Sequence, residues 1–234
     1  MLSRRCEREW LDHLAADDPS AIRSRADLRR VNRLMGALTL MLAGLDRIAA
    51  RGAPSRLIEL GAGDGHFMLR LARQRAQQWP GVEVVLLDLR PSVSEATLDG
   101  LRQLGWRPRV LAIDVFDWLR QQPQDDGNAI VLANLFAHHF EGENLARLRH
   151  GIAARARGCV LCEPRRSRLA LASSHLLGVV GCNDVTRHDA VASVHAGFAG
   201  HELTTHWPDA QAWSLKETRA GLFSHRFVAM RSTP

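Results

Sequence analysis

From residue 55 onward, short apolar runs alternate with segments of helical periodicity. Five runs are predicted as strands: Arg56–Leu60, Val82–Asp88, Arg109–Asp114, Ala129–Asn134 and Cys159–Glu163. The helices predicted between them are Gly65–Gln78, Pro91–Leu104, Phe116–Gln121 and Glu141–Arg155. Near-continuous apolar strands that alternate with helices indicate a parallel sheet covered on both faces, and right-handed crossovers make it doubly wound.

The end of the chain follows a different pattern. Two strand-like runs, Ala212–Arg219 and Phe223–Arg231, are separated only by Ala220, Gly221 and Leu222. So short a link requires an antiparallel hairpin. The sequence therefore predicts an α/β fold with a doubly wound, mostly parallel seven-stranded sheet that ends in an antiparallel C-terminal hairpin.

The first 54 residues show helical periodicity. Arg4–Leu14 and Asp27–Ala50 carry apolar residues at three- and four-residue spacing, and residues 17–20 between them suit a turn and a helix cap. We expect residues 1–54 to form an N-terminal helical cap on a Rossmann-like domain of residues 55–234. Within that domain, residues 165–200 form a lid-like insertion after the fifth strand.

Composition and charge narrow the choice of partner. Hydrophobic residues make up 46% of the 234 residues and charged residues 24%, which is typical of a folded globular protein. The net charge of +6 could indicate a nucleic-acid partner. However, Lys216 is the single lysine, and the arginines are interspersed with acids along every segment. We therefore expect a mixed-charge surface, and nucleic acid is not the favoured partner.

The sequence disfavours a membrane-spanning protein and a secreted protein. The most apolar stretch, Met35–Leu45, is shorter than the roughly 20 residues that a membrane-spanning helix needs. The first residues also lack the apolar core of a secretory signal, so the default expectation is a cytoplasmic protein with no membrane partner.

Cys159 and Cys162 form a C-x-x-C pattern, but residues three apart on a strand point to opposite faces. We predict no metal site.

A glycine-rich turn closes the first predicted strand and opens a helix. Its sequence is Glu59-Leu60-Gly61-Ala62-Gly63-Asp64-Gly65, and glycines there let a ligand approach the main chain closely. The dinucleotide fingerprint would place Gly or Ala at position 66, where this chain has a bulky histidine. A tight turn without a ligand is the plain alternative.

Two acids end the next predicted strands at the same edge of the sheet. Asp88 ends the second strand, where a carboxylate can accept hydrogen bonds from both hydroxyls of a ribose. Asp114 ends the third strand. Either carboxylate could instead cap the helix that follows it.

Together these residues resemble motif I and the following motifs of the class I, Rossmann-like S-adenosylmethionine-dependent methyltransferases. The resemblance extends in organisation over residues 56–231. It implies S-adenosylmethionine as cofactor, with the glycine loop around its methionyl part, Asp88 on the ribose, Asp114 near the adenine amino group and Asn134 at the methionyl end. The implied cofactor residues are Glu59, Gly61, Ala62, Gly63, Gly65, Asp88, Leu89, Asp114, Val115 and Asn134.

Histidines are the candidates for removing a proton from a methyl acceptor. The fourth strand leads into Asn134-Leu135-Phe136-Ala137-His138-His139-Phe140, and an imidazole titrates near neutral pH. We favour His139, then His138, as the general base, although one could cap a helix while the other is packed. His188, next to Asp189 in the insertion, is a third candidate or a surface residue.

The predicted function is methylation of a small molecule, with O-methylation of a hydroxylated or aromatic substrate favoured. Amino-methyltransferases that act on bases carry an Asn/Asp-Pro-Pro-aromatic signature after the fourth strand, and this chain has Asn134-Leu135-Phe136-Ala137 there. Two alternatives stay open: an RNA methyltransferase, and a non-catalytic nucleoside-binding or scaffold protein on the same fold.

Overall fold

A computed structural model describes residues 2–15, 17–121 and 128–232. Its seven-stranded sheet has the strand order β3-β2-β1-β4-β5-β7-β6. The strands are β1 (Arg56–Leu60), β2 (Glu83–Asp88), β3 (Arg107–Ala112), β4 (Ala129–Asn134), β5 (Gly158–Pro164), β6 (Trp213–Ala220) and β7 (Ser224–Arg231). The first five strands are parallel, whereas β7 pairs antiparallel with both β5 and β6. The predicted fold class is confirmed.

Eight α-helices flank the sheet in the part of the chain that the structure describes. They are α1 (Pro19–Leu34), α2 (Ala37–Ala49), α3 (His66–Arg75), α4 (Glu95–Gln103), α5 (Val115–Arg120), α6 (Gly142–Arg155), α7 (Arg168–His175) and α8 (Asp184–Ala196). No helix among the described residues is long and apolar enough to cross a membrane.

The hydrophobic core lies in two layers, one on each face of the sheet. Strands β1, β4 and β5 are buried almost throughout, as a sheet covered on both faces requires. Cys159 and Cys162 of β5 belong to opposite layers, as predicted. Burial raises the pKa of both thiols to about 12, so both remain neutral.

The N-terminal region is built differently from the expectation. The predicted helix over residues 27–50 is split at Gly36, whose backbone is left-handed (φ +66°). Helix α2 packs on β5 and β7, and its Met41 and Ile48 are fully buried in the core. It therefore packs on the sheet, and the division of the chain at residue 54 stays a prediction. Helix α1 begins at Pro19, eight residues before the predicted start at Asp27. Its cap lies in the predicted turn, where the Asp18 carboxylate accepts hydrogen bonds from two amides of the first helical turn.

The predicted helix over residues 4–14 is wrong. This part of the chain is irregular apart from one short 3₁₀ turn, Leu11–His13. Several of its backbone groups are bonded to α8 and its vicinity: the Arg5 amide donates to the His195 carbonyl, and the Trp10 amide donates to Asp189. Long-range partners thus replace the hydrogen bonds that a helix would have made internally.

Candidate functional site

The glycine-rich loop lies between β1 and α3 at the carboxyl edge of the sheet. Gly61, Gly63 and Gly65 all have left-handed backbones (φ +70°, +55° and +68°). A Cβ at Gly61 would lie 2.5 Å from the Phe136 ring, so that glycine is required by packing. A Cβ at Gly63 would meet nothing within 4 Å, so the loop presents an open backbone surface at this residue.

Asp88 joins the second strand to this loop. Its carboxylate accepts a hydrogen bond from the Gly63 amide at 2.8 Å and another from the Arg90 amide at 2.8 Å. It does not cap the next helix, because Ser94 caps α4. The neighbouring Leu89 is exposed. The structure therefore brings Asp88 into direct contact with the loop.

Asp114 lies at the same carboxyl edge of the sheet, which we call the rim, one strand further out. The Ile113 amide donates to the Asp88 carbonyl at 3.0 Å, which ties the ends of the two strands together. The Asp114 carboxylate caps α5 by accepting from the Phe116 amide at 2.7 Å, and Val115 is buried. The cap thus uses one carboxylate oxygen, and the role of Asp114 toward adenine stays a prediction.

Glu59 is a buried carboxyl beneath the loop. Only 3% of the residue is exposed, and its Oε2 has no hydrogen-bond partner among the described residues. Burial, reinforced by the negative charges of Asp64 and Asp88, raises the pKa of this carboxyl well above its usual range. A buried polar atom without a partner is unusual in a folded protein and marks a place where a ligand could bind.

Helix α1 covers the rim with two polar residues that were not among the predicted site residues. Arg29 forms an ion pair with Asp64 of the loop at 2.6 Å. Asn32, one turn further along, accepts a hydrogen bond from the Asn134 side chain at 3.4 Å. Their spacing of three residues places both on one helix face and was a signal available in the sequence.

The segment after β4 is organised by a buried carboxylate from β5. Glu163 is fully buried and accepts hydrogen bonds from three successive amides, those of Phe136 (3.1 Å), Ala137 (2.9 Å) and His138 (3.3 Å). These amides begin the 3₁₀ turn Ala137–His139. Glu163 was not among the predicted site residues, although it ends a predicted strand at the ligand edge.

His138 lies between two carboxylates. Its Nδ1 is 2.8 Å from Glu163, its Nε2 is 3.3 Å from Glu9, and only 1% of the residue is exposed. Burial disfavours the imidazolium, but the hydrogen bonds to the two carboxylates outweigh it and raise the pKa of His138 to about 9. At Glu9, burial raises the pKa of the carboxyl, but the hydrogen bond to His138 and the charge of that ring outweigh burial and lower the pKa to about 2. This ion pair favours a positioning role for His138.

His139 is adjacent but has the opposite electrostatic environment. Its ring centroid is 4.3 Å from that of His138. Burial and the neighbouring His138 cation lower the pKa of His139, although the carboxylates of Glu9 and Asp12 partly oppose this. Its Nδ1 is 3.8 Å from Asp12, and a quarter of its side chain is exposed. A neutral, partly accessible imidazole is the form that can accept a proton.

His188 lies apart from the other two predicted bases. Its ring stacks on Trp10 with centroids 3.9 Å apart, and its Nδ1 is 2.9 Å from Asp189. Asp189 also accepts hydrogen bonds from the amides of Trp10 and Leu11 at 2.8 and 3.0 Å. The His188–Asp189 pair therefore anchors the N-terminal segment to α8, and its catalytic role stays a prediction.

One set of possible metal ligands occurs in the part of the chain that the structure describes. Ligand atoms of Glu9, His138 and His139 lie within 4.8 Å of one another. Both nitrogens of His138 already face carboxylates, so a metal ion would have to displace the Glu9–His138 ion pair. The expectation that the chain has no metal site stays a prediction.

Comparison with known sequences gives one relative. No protein-family model matches the chain. Over 140 residues it is 33% identical to the 23S rRNA (guanine(748)-N(1))-methyltransferase of Streptomyces fradiae. The aligned part is 59% of this chain and 45% of that relative, so the match spans less than half of the relative's length.

Solved structures match over most of the chain. The plantazolicin methyltransferase BpumL in complex with SAH has a TM-score of 0.64 at 11% identity, and the match covers 92% of each chain. The apo methyltransferase SibL has a TM-score of 0.61 at 15% identity, covering 97% of this chain and 63% of that one. An O-methyltransferase family protein from Burkholderia thailandensis has a TM-score of 0.54 at 16% identity, covering 94% and 64%.

The sheet order, the terminal hairpin and the glycine-rich rim define the fold of the class I S-adenosylmethionine-dependent methyltransferases. The resemblance predicted from the motifs is confirmed. The chain matches BpumL in fold over nearly its full length, and the BpumL structures hold SAH.

Proposed function

We propose that the chain transfers a methyl group from S-adenosylmethionine to a small molecule, with a hydroxyl group as the favoured acceptor. The observation that carries the proposal is the rim itself, where the open Gly63 backbone, the Asp88 carboxylate and the unpartnered Glu59 oxygen come together. The similarity to methyltransferases in both sequence and fold supports the same reaction class.

The residues at the rim fit this cofactor. Gly61, Gly63 and Gly65 leave the main chain accessible, and each Asp88 oxygen retains acceptor capacity beyond its one amide hydrogen bond. The amino group of the methionyl part is a suitable donor to the unpartnered Glu59 oxygen. When bound, the cofactor supplies an electrophilic methyl carbon, and the protein must align the acceptor with it and exclude water.

On the acceptor side, His139 is the proposed base. Its lowered pKa keeps the imidazole neutral at physiological pH, and it can take a proton from a hydroxyl as the nucleophile attacks. His138 and Glu163 hold the turn that carries His139. We expect His139→Asn to lower turnover of a phenolic substrate by about a hundredfold while binding of S-adenosylhomocysteine is retained. Turnover at the wild-type rate would exclude His139 as the base.

Isothermal titration with S-adenosylhomocysteine and, separately, with NADH tests the cofactor assignment. We expect the former to bind and Asp88→Ala to weaken that binding by about tenfold or more. Asp99→Ala is the matched control, because Asp99 is an exposed carboxylate of α4 that pairs only with Arg102 among the described residues. Tight NADH binding without a response to S-adenosylhomocysteine would contradict the proposal. Binding without turnover on any acceptor would favour the non-catalytic alternative.

RNA is the second candidate substrate, because the relative with 33% identity is named as an rRNA methyltransferase. Phosphate contacts release counterions, so RNA binding would weaken steeply with salt. The assay compares methyl incorporation into a 23S rRNA transcript with methyl incorporation into a panel of phenols. Incorporation into the transcript alone would replace the small-molecule assignment and leave the cofactor assignment in place.

A further inference from the structure

A cavity of about 530 Å³ lies at the ligand edge of the sheet, beyond the end of β5. Its walls come from residues 165–168 after β5, from residues 199–201 and from the ends of β6 and β7. β7 begins opposite the last residue of β5, so the cavity extends from the end of β5 toward β6, on the side away from β4. It is lined by none of the residues proposed above to bind the cofactor.

Three arginines give this cavity a positive charge. Arg165, Arg168 and Arg219 line it, and none of them forms an ion pair with a carboxylate among the residues that the structure describes. Arg165 is half-buried and reaches only the Leu222 carbonyl, at 3.5 Å, whereas Arg168 and Arg219 are exposed. Guanidinium groups left with free donors around a cavity favour an anionic ligand.

The acidic groups near the cavity are already engaged. The Glu217 carboxylate accepts hydrogen bonds from the amides of Leu203 and Thr204, at 3.2 and 2.7 Å, and lies 2.7 Å from His225 Nε2. Glu202 forms an ion pair with Arg166. Since Glu202 is paired with Arg166 and Glu217 is held by two amides and His225, the positive charge of the three arginines exceeds the remaining negative charge around the cavity.

Two residues that line the cavity each have a buried polar atom without a partner among the described residues. These atoms are Nδ1 of His225, a residue that is 1% exposed, and Oγ1 of Thr218. A buried polar group without a hydrogen bond costs free energy unless a ligand satisfies it. The Thr218 hydroxyl can donate a hydrogen bond to an anion, and Nδ1 of His225 can donate one in the imidazolium form, because Nε2 already donates to the Glu217 carboxylate.

We propose that this cavity is a binding site for the phosphate group of a small ligand, held by Arg165, Arg168 and Arg219 and by the polar atoms of Thr218 and His225. A phosphate has the oxygen acceptors that several guanidinium donors and two further donors can share. The site shares no residue with the proposed cofactor site at the rim, so phosphate binding can be tested separately from the proposed methyl transfer.

The experiment is isothermal titration of the full chain with inorganic phosphate and with phenyl phosphate at constant ionic strength. We expect saturable binding that the double variant Arg165→Gln/Arg219→Gln weakens by about tenfold or more. Arg107→Gln is the matched control, because Arg107 is exposed on β3 at the opposite edge of the sheet, and it should change affinity by less than about twofold. Tighter binding of phenyl phosphate indicates a phosphomonoester, and equal binding indicates free phosphate.

Thr218→Val separates a ligand role from a purely structural one. If the hydroxyl has no ligand, its removal leaves thermal stability unchanged or raised and phosphate affinity unchanged. We expect unchanged stability together with an affinity about threefold weaker. The proposal is overturned if wild type shows no saturable phosphate binding below about 10 mM, if Thr218→Val leaves affinity unchanged, or if the double variant and Arg107→Gln weaken it equally. RNA binding that Arg107→Gln weakens as much as the double variant would also overturn it, by indicating a diffuse polyanion surface.

Discussion

The two halves of the rim are assembled in different ways. On the β1–β3 side, the contacts join residues near one another in sequence, such as Gly63 and Asp88, which are 25 positions apart. On the β4–β5 side, Glu9 meets His138 across 129 positions, and Trp10 meets Asp189 across 179. The first half is built from strand ends, whereas the second is completed by the irregular N-terminal segment.

The two sides of the rim also depend on different interactions for their stability. The β1–β3 side depends on backbone conformation, and none of the described residues bonds the Oε2 atom of Glu59. The β4–β5 side depends on buried charge, in which Glu9 and Glu163 flank the ring of His138. Substitutions in the charge network of the second side should therefore cost the most stability, whereas those at Asp88 and Gly63 on the first side should weaken ligand binding.

The largest expected effect is that of Glu163→Gln. The amide keeps the volume of the side chain but removes the negative charge that three amides and His138 share. Breaking a buried charge network by removing one partner typically costs about 3–5 kcal/mol, so we expect a loss of that size in the free energy of unfolding. Urea denaturation measures it.

Glu95→Gln is the control for that substitution. Glu95 has a side chain that is 80% exposed and lies 3.6 Å from Arg102, so its loss should cost less than about 1 kcal/mol. Equal losses for the two variants would show that the carboxylate of Glu163 does not organise the turn after β4.

The same contrast explains how much the sequence predicted. Strands β1 and β4 begin and end at the predicted residues, because a buried parallel strand is a continuous apolar run with few alternatives. The glycine loop was found for a similar reason, since its conformation is encoded by its own residues. Features that depend on residues within one segment can therefore be predicted from a single sequence.

The β4–β5 side could not be predicted in this way. Apolar residues at helical spacing indicated a helix over residues 4–14, but that periodicity does not reveal that Asp189 takes the amides of Trp10 and Leu11. Likewise, the raised pKa of His138 depends on Glu163 and on Glu9, and no sequence pattern connects Glu9 to it. Roles that depend on distant partners become visible only in the fold.

A smaller effect, with a defined pH dependence, is expected from Glu9→Gln. The raised pKa of His138 contributes stability below its unfolded value near 6.5, and this is lost as the pH rises through about 9. The lowered pKa of Glu9 contributes above 4.5, and this is lost as the pH falls through about 2. Wild type should therefore exceed Glu9→Gln most, by about 2 kcal/mol, between roughly pH 4.5 and 6.5.

Chemical denaturation of both proteins from pH 3 to 10 gives this difference directly. The difference should shrink on both sides of the window, and His139, whose pKa is lowered, should contribute little to it. A difference that is constant with pH would mean that Glu9 acts through packing and not through its charge.

The remaining effects on stability, equal to or smaller than that of Glu9→Gln, concern three glycines with left-handed backbones. Gly61→Ala should cost about 2 kcal/mol, because its Cβ would meet the Phe136 ring at 2.5 Å in addition to the backbone strain. Gly63→Ala and Gly221→Ala add only the strain, about 1 kcal/mol, since a Cβ at either meets nothing within 4 Å. Urea denaturation measures these costs.

Ligand affinity then separates the last two variants. Gly63 lies at the open point of the proposed cofactor loop, whereas Gly221 lies in the β6–β7 turn with a similar backbone angle (φ +55° and +67°). A methyl group at Gly63 would occupy the surface on which the cofactor is proposed to rest, so we expect Gly63→Ala to weaken S-adenosylhomocysteine binding by about tenfold and Gly221→Ala to leave it unchanged. If both variants bind equally well, the loop does not contact the cofactor at Gly63, and the β1–β3 side of the rim loses the role that distinguishes it from the β4–β5 side.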